Sequence, residues 1–489
     1  MTGETAFGDV VRELLWDRLY IIRFVPVDPF ATSIAAHSED KLMVEKLARL
    51  IHAGWRAALP CVIGFLLTGH SAGAQPREAQ LLASEATLAD PASLPLLPSR
   101  TSTVYRAKQG GWQFNLHSYI TWHRGRFWAI WSSGRVDEDS GNQIVRYSSS
   151  KDGHHWAPSQ VLADDPDGPD QPGLWIARGI FVLDGKLQAL AAYNEGSRST
   201  PEGRESWHGL RLVRFEWTGK AWVSRGTFAD NCMNNYPPRR LGERLFMTCR
   251  DSFARMYTAL AGSSTGDNWT LTRLPGAPPD DRMSEPSWYL DREGVAHLIF
   301  RDGRGSKFLY HATSRDQGRT WSAPVRTNYP DATSKNIAGR LANGWYFLIN
   351  NPNPKGRDPL AISFSRDGWV FSDPRALRKG APAQRFPGRA KSVRSFQYPH
   401  VLEKDGSLWV IYSTNKEDIE ISEFKLADLL PSPDASGSLA GPATLTHTVK
   451  PHGREQSIPD RSRADSPCRA ATRTAPEFKF SPSPSKRSS

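Results

Sequence analysis

The stretch Ser314-Arg-Asp-Gln-Gly-Arg-Thr-Trp321 decides how this chain is read. Asp316 can accept backbone N–H bonds in a tight turn, Gly318 can take a positive φ, and Trp321 can plug the gap beneath. Such a unit suits the hairpin between the two outer strands of a small sheet. Looser copies recur. Ser150-Lys-Asp152-Gly153-His-His-Trp156 and Ser365-Arg-Asp367-Gly368-Trp-Val-Phe371 are shortened, and Ser264-Thr-Gly-Asp267-Asn-Trp269 is degenerate. Trp217-Thr-Gly-Lys-Ala-Trp222 stands at the matching place of one further unit.

A second periodicity runs in phase with the first. An apolar strand, a turn with glycine and another apolar strand recur, as in Tyr119-Ile-Thr-Trp-His-Arg-Gly125-Arg-Phe-Trp-Ala-Ile130. The anchor glycines are Gly125, Gly185, Gly242, Gly294, Gly344 and Gly406, at intervals of 50 to 62 residues, a propeller-blade period. Six anchors predict an all-β, six-bladed β-propeller over residues 102–428, with four strands per blade. Residues 102–113 are expected to close the ring as the outer strand of the last blade, after Ile419–Phe424.

The composition agrees. A chain of 489 residues with 17 Trp, 39 Gly and 36 Pro favours short strands and many turns over long helices. The net charge of +11 comes without a Lys/Arg-rich run of the nucleic-acid type, so nucleic acid is not an expected partner. What remains is a basic surface or an anionic glycan. The four cysteines, Cys61, Cys232, Cys249 and Cys468, form no CxxC pair, which argues against a cysteine zinc site. Cys232 and Cys249 flank the first hairpin of blade three and either pair or stay as two thiols. No metal or cofactor is called for, and a monomer is expected.

The ends of the chain differ from its middle. Residues 1–42 carry no repeat. Lys46, Arg49 and Arg56 precede the apolar run Ala57–Leu67 and the cleavage-like Ala72-Gly-Ala74, which reads as a signal peptide over 43–74. The run is too short, and broken by Pro60 and Gly64, for a membrane span. Export to a bacterial periplasm or outside the cell is expected. Residues 75–101 read as a linker, and 429–489 as a Pro/Ser/Arg-rich tail that buries too little to order itself.

In a propeller, residues entering the inner strands and leaving the second strands meet at one mouth of the axis. Those entering are Asn115 and His117, Arg178, Tyr236 and Arg239, Glu285, Lys335 and Asn336, and Tyr398 and His400. Those leaving include Arg135, Asp137, Glu138, Asp139, Arg250 and Arg301, with Arg357 close behind in blade five. A ring this rich in arginine, carboxylate, tyrosine and histidine suits a polar, partly anionic ligand.

These segments resemble the sialidase superfamily, glycoside hydrolases with Asp-box repeats, over residues 102–428. Ser314–Trp321 matches the Asp-box, Ser284-Glu285-Pro286-Ser287 with Phe300-Arg301 resembles the family's blade-four segment, and Gln397-Tyr398-Pro-His resembles the segment of its nucleophilic tyrosine. The resemblance implies a retaining exo-glycosidase acting on a terminal acidic sugar. Tyr398 would be the nucleophile, Glu285 its proton acceptor, and Arg301 and Arg357 a carboxylate clamp. The family's acid/base aspartate follows the second strand of blade one, where Asp137, Glu138 and Asp139 stand; the choice among the three stays open, with Asp137 and Asp139 put first. A phenol is a weak nucleophile with an ordinary pKa near 10, so it needs a neighbouring base. One feature departs from the family. Its blade-one arginine is absent from Phe114-Asn-Leu-His117-Ser-Tyr119, where His117 stands nearest, and Arg135 or Arg178 would have to substitute. Related propellers include rhamnosidases and polysaccharide lyases, for which His117 or His400 would serve as acid or base. A non-catalytic glycan-binding propeller is the third reading.

Overall fold

In the computed structural model, residues 78–138, 140–164, 173–199, 205–276, 283–386 and 393–430 are described. The expected N-terminal extension, the signal peptide, Asp139 and the tail beyond residue 430 lie outside them.

The alternation of apolar runs and glycine turns becomes six antiparallel sheets. Blade one is built from Phe114–His123, Arg126–Gly134, Ile144–Ser150 and Gln160–Ala163, in that order from the axis outward. The five other sheets repeat this order, and the inner strand of blade three is split into Met233–Asn234 and Arg239–Leu241. All six anchor glycines take φ between 63° and 92°. Arg124, Asp184 and Asp405 precede three of them and are also left-handed, which makes tight two-residue hairpins.

Ring closure follows the expected route with a shifted boundary. Arg100–Tyr105 pairs with Asp418–Lys425 as the outer strand of blade six, so the first and last strands of the domain share one sheet. The stretch read as a linker is packed instead. Leu81, Leu82, Leu88 and Leu94 are buried in one cluster with Tyr289, Tyr346 and Phe371, and Ala79, Leu82 and Leu96 bridge to blades four and five. Enough leucine lies in 78–99 to hold it down, a signal that its proline and serine content hides. Leu429 is also buried, which extends the packed domain beyond the expected end.

The Asp-box at 314–321 is an interlock between blades. Ser314 Oγ donates to Asp316 Oδ1 (2.8 Å) and accepts from Gly318 N–H (2.9 Å), while Asp316 accepts from Thr320 N–H (2.9 Å). Trp321 is buried and stacks on Phe246 of blade three at 5.5 Å. A Cβ on Gly318 would meet Leu241 of the same blade at 2.7 Å, so close approach as well as a φ of 80° requires glycine. The copies at 150 and 365 repeat the serine–aspartate–glycine hydrogen bonds. Gly153 lies against Trp409 of blade six and Gly368 against Tyr289 of blade four.

Cys232 and Cys249 form a disulfide, with Cα atoms 5.2 Å apart. It joins the residue just before the split inner strand of blade three to its second strand.

Candidate active site

Four of the six inner strands break their ladder at the same place. The register slips between Leu116 and Tyr119 in blade one, Ala177 and Gly179 in blade two, Ser284 and Ser287 in blade four, and Gln397 and His400 in blade six. His117 (φ 55°), Glu285 (φ 51°) and Tyr398 (φ 58°) sit in three of these bulges, all in the left-handed region that such side chains avoid. A bulge re-aims a side chain that the regular pleat would bury between sheets. Each such residue costs about 1–3 kcal/mol, a typical mark of a functional site.

Four residues expected to meet do so. Arg301 Nη1 lies 2.9 Å from Glu285 Oε2 and donates to the Tyr398 hydroxyl at 3.3 Å. Arg301 Nε donates to Ser284 Oγ (3.0 Å). Arg357 donates to the Thr333 carbonyl (3.1 Å), which also accepts from Arg301 (3.4 Å), and to Gln397 Oε1. The Arg357 guanidinium stands 5.7 Å from the centre of the Tyr398 ring. Arg301 thus bridges carboxylate and phenol. Phe114 and Leu116 pack with Tyr398 in a small apolar cluster.

Burial and charge oppose each other here. Burial alone would raise the Glu285 carboxyl, but Arg301, Arg250, Lys335 and Arg178 outweigh it and hold it down to about 2. Burial pushes the Tyr398 phenol up to about 12, with Glu285 and Glu138 adding to the rise and Arg301 and Arg357 opposing it. The resting pair is therefore a carboxylate and a neutral phenol. Burial, with Arg178, Lys335, Lys416 and Arg250, depresses His117 well below the usual histidine range, so its imidazole is neutral. Its ring meets Tyr398 edge-on at 5.2 Å, and its Nδ1 is 3.2 Å from Ser132 Oγ. Beneath them, buried Lys335 donates to the Tyr119 hydroxyl (2.8 Å) and the Asn235 carbonyl (3.0 Å).

Other expectations are corrected. Of Asp137 and Glu138, the described residues of the 137–139 trio, Glu138 is the one that reaches the site. Its Oε1 lies 3.9 Å from His117 Nε2 and its Oε2 2.5 Å from Lys416 Nζ. The Asp137 carboxylate accepts the Glu138 N–H (2.7 Å) within the turn. Arg135 stacks on Trp112 at 4.1 Å, outside the cluster. His400 belongs to the other end of the axis: its Nδ1 accepts the Ile120 N–H (3.3 Å), its ring contacts Tyr119 and Tyr236, and it lines a cavity of about 540 Å³. Arg178 is buried in the ring wall, beside Arg250, which residue type alone did not single out.

The fold and this bulged ring define a sialidase-like six-bladed β-propeller. The chain belongs to the BNR repeat-like domain family, whose model matches residues 125–411. A sialidase structure is 20% identical over 68% of this chain and 33% of its own length, with a TM-score of 0.49. The Hadza microbial sialidase Hz136 is 16% identical over 67% of this chain and 68% of its own, with a TM-score of 0.52. Trypanosoma rangeli sialidase in complex with sialic acid is 17% identical over 69% and 60%, with a TM-score of 0.50. The chain thus spans a third of the first of these proteins and three fifths of the last. At such identities the likeness is one of fold. A comparison with curated proteins finds no match.

Proposed function

We propose that the protein is a secreted, retaining exo-glycosidase that releases a terminal acidic sugar, sialic acid or a relative, from glycans. The observation that carries this reading is Arg301, which touches both Glu285 and Tyr398 at one mouth of the axis. Arg301 and Arg357 offer forked donors to the sugar carboxylate. A tyrosine suits an anionic substrate, because an attacking carboxylate would meet like-charge repulsion; sialidases are the known tyrosine users among retaining glycosidases. In the first half-reaction Tyr398 Oη bonds to the anomeric carbon, its proton passes to Glu285, and the glycosidic C–O bond breaks. Glu138, in its acid form, protonates the leaving oxygen. In the second, Glu138 takes a proton from the attacking water, the Tyr398–sugar bond breaks, and Glu285 returns the proton to the phenol. The Cys232–Cys249 disulfide supports export, since such bonds persist in oxidising compartments. The test is hydrolysis of a fluorogenic sialoside and related acidic glycosides by purified protein. Tyr398→Phe is expected to lower kcat by about a thousandfold or more, as for loss of a nucleophile. Full activity in Tyr398→Phe sinks the reading.

The neutral His117 beside Tyr398 favours one second reading: a base and acid pair for β-elimination on a uronate. Release of unsaturated uronate, absorbing in the ultraviolet and lost in His117→Ala, would identify it.

A further inference from the structure

On the side of the ring formed by blades two and three stand two arginines whose charge helps keep Glu285 ionised but which form no ion pair with a described carboxylate. Arg178 is 1% exposed, and Arg250 is half-buried at the end of the second strand of blade three. Both aim at a sulfur atom. Arg178 Nη2 lies 2.6 Å, and Arg250 Nη2 3.6 Å, from Met233 Sδ. A thioether is a weak acceptor. Among the described residues Arg178 Nε and Nη1 and Arg250 Nε make no hydrogen bond, Arg178 otherwise meets only the neutral Tyr119 hydroxyl, and no carboxylate lies within ion-pair distance of either guanidinium. Arg301 pairs with Glu285, and Lys416 is taken up by Glu138. The blade-two and blade-three side is therefore left with an excess of buried positive charge, which is costly unless an anion meets it.

The surroundings look built for a ligand. Met233 and Arg250 are register partners, and the Cys232–Cys249 disulfide lies one residue from each, so the bond fixes the strand pair that presents Arg250. Asn234 Nδ2 donates to the Arg178 carbonyl (3.0 Å) and ties blade two to this wall. Trp207, half-buried on a short hairpin of blade two, lies 5.5 Å from the Arg250 guanidinium and offers a flat apolar face of the kind a sugar ring covers.

We infer that Arg250 and Arg178 form a second anion subsite, which takes a sulfate or carboxylate group of the glycan additional to the one held by Arg301 and Arg357. This rests on the glycosidase reading for its substrate class, and it makes that substrate doubly anionic.

The test is calorimetric titration of the full, oxidised chain with sodium sulfate, and in parallel with sodium acetate, in a chloride background of fixed ionic strength. The anion bound more tightly names the group. Wild type is expected to bind. Arg250→Gln should weaken binding by about tenfold or more, the scale of one charge-assisted arginine contact. Arg250→Lys should restore part of it. Arg357→Gln should change it by less than about twofold. Met233→Leu, which removes the sulfur and keeps the shape, should bind at least as tightly as wild type. Absence of binding to wild type overturns the inference. So does an unchanged affinity in Arg250→Gln, or a loss in Arg357→Gln equal to that in Arg250→Gln, which would mean a single anion site at the clamp. Tyr398→Phe separates the two readings: a failed glycosidase reading appears as activity in that variant, with the sulfate titration intact.

Discussion

The front and rear mouths of the axis are lined by the same six inner strands and share almost no chemistry. The rear mouth holds a cavity of about 540 Å³ walled by Ile180, Pro237, Ile337 and Leu402, with Arg239, Arg340, His400 and Glu403 among its polar members. There the ladders run in register and side chains alternate, so the wall is smooth. At the front, three bulges turn His117, Glu285 and Tyr398 toward the axis, and arginines from blades two to five close around them. Chemistry is found where the strands break.

The largest effect should separate the two mouths outright. Arg301→Gln leaves Glu285 buried without its partner, a change worth about 3–5 kcal/mol. It should lower kcat/KM on a fluorogenic sialoside by about a hundredfold to a thousandfold. Glu403→Gln, at the rear, should stay within about twofold. Equal losses would erase the contrast.

Stability should separate them next. The Cys232–Cys249 bond closes a loop with a sequence separation of 17 and braces only the front wall of blade three. Reduction should lower the unfolding free energy in urea by about 3 kcal/mol. Loss of less than about 1 kcal/mol would show that blade three holds its own edge.

The rear and outer histidines give the pH dependence. Burial drives His400 and His311 down to about 3, with Lys335 and Arg239 adding to the first and His297 to the second. Both are neutral in the fold, and an unfolded histidine takes up a proton below about 6.5. Their contribution is complete above that pH and is lost as pH falls toward 3, at up to about 1.4 kcal/mol per pH unit for each. Glu285 acts in a lower window, because its depressed carboxyl loses stabilising charge only as pH falls below the usual carboxylate range toward 2. Urea titrations between pH 7 and 5 should therefore show a slope that His311→Gln reduces. A slope unchanged by that variant would place the acid sensitivity elsewhere.

The smallest effect lies farthest from the axis. Asp316→Ala removes the hydrogen bonds to Thr320 and Ser314 and should cost about 1 kcal/mol of stability, with kcat/KM unchanged. A change in kcat/KM larger than the stability loss explains would tie the interlock to the front mouth.

Much of the candidate site was legible as residue type and position. Glu285, Arg301, Arg357 and Tyr398 stand at strand ends that the glycine spacing fixed in phase. Three things were not legible. Choosing Glu138 over Asp137 required knowing how the turn faces His117. Assigning His400 to the rear required the bulge, since two residues along a strand change which end of the axis a side chain faces. Arg250 looked like any other charged strand end until Met233 proved to be its acceptor among the described residues. The buried leucines of 78–99 were visible, but nothing local says which blades they cover.

The sequence by itself determined the blade count, the phase of the strands and the place of the Asp-box in an outer hairpin. These depend on hydrophobic period and on glycine and aspartate at fixed offsets, which act within a few residues. Tertiary structure decided which charges meet. Partners such as Arg301 and Tyr398, 97 residues apart, are joined by ring closure and by three left-handed bulges. Their protonation is set by desolvation and by neighbours from other blades, and no stretch of sequence carries that information.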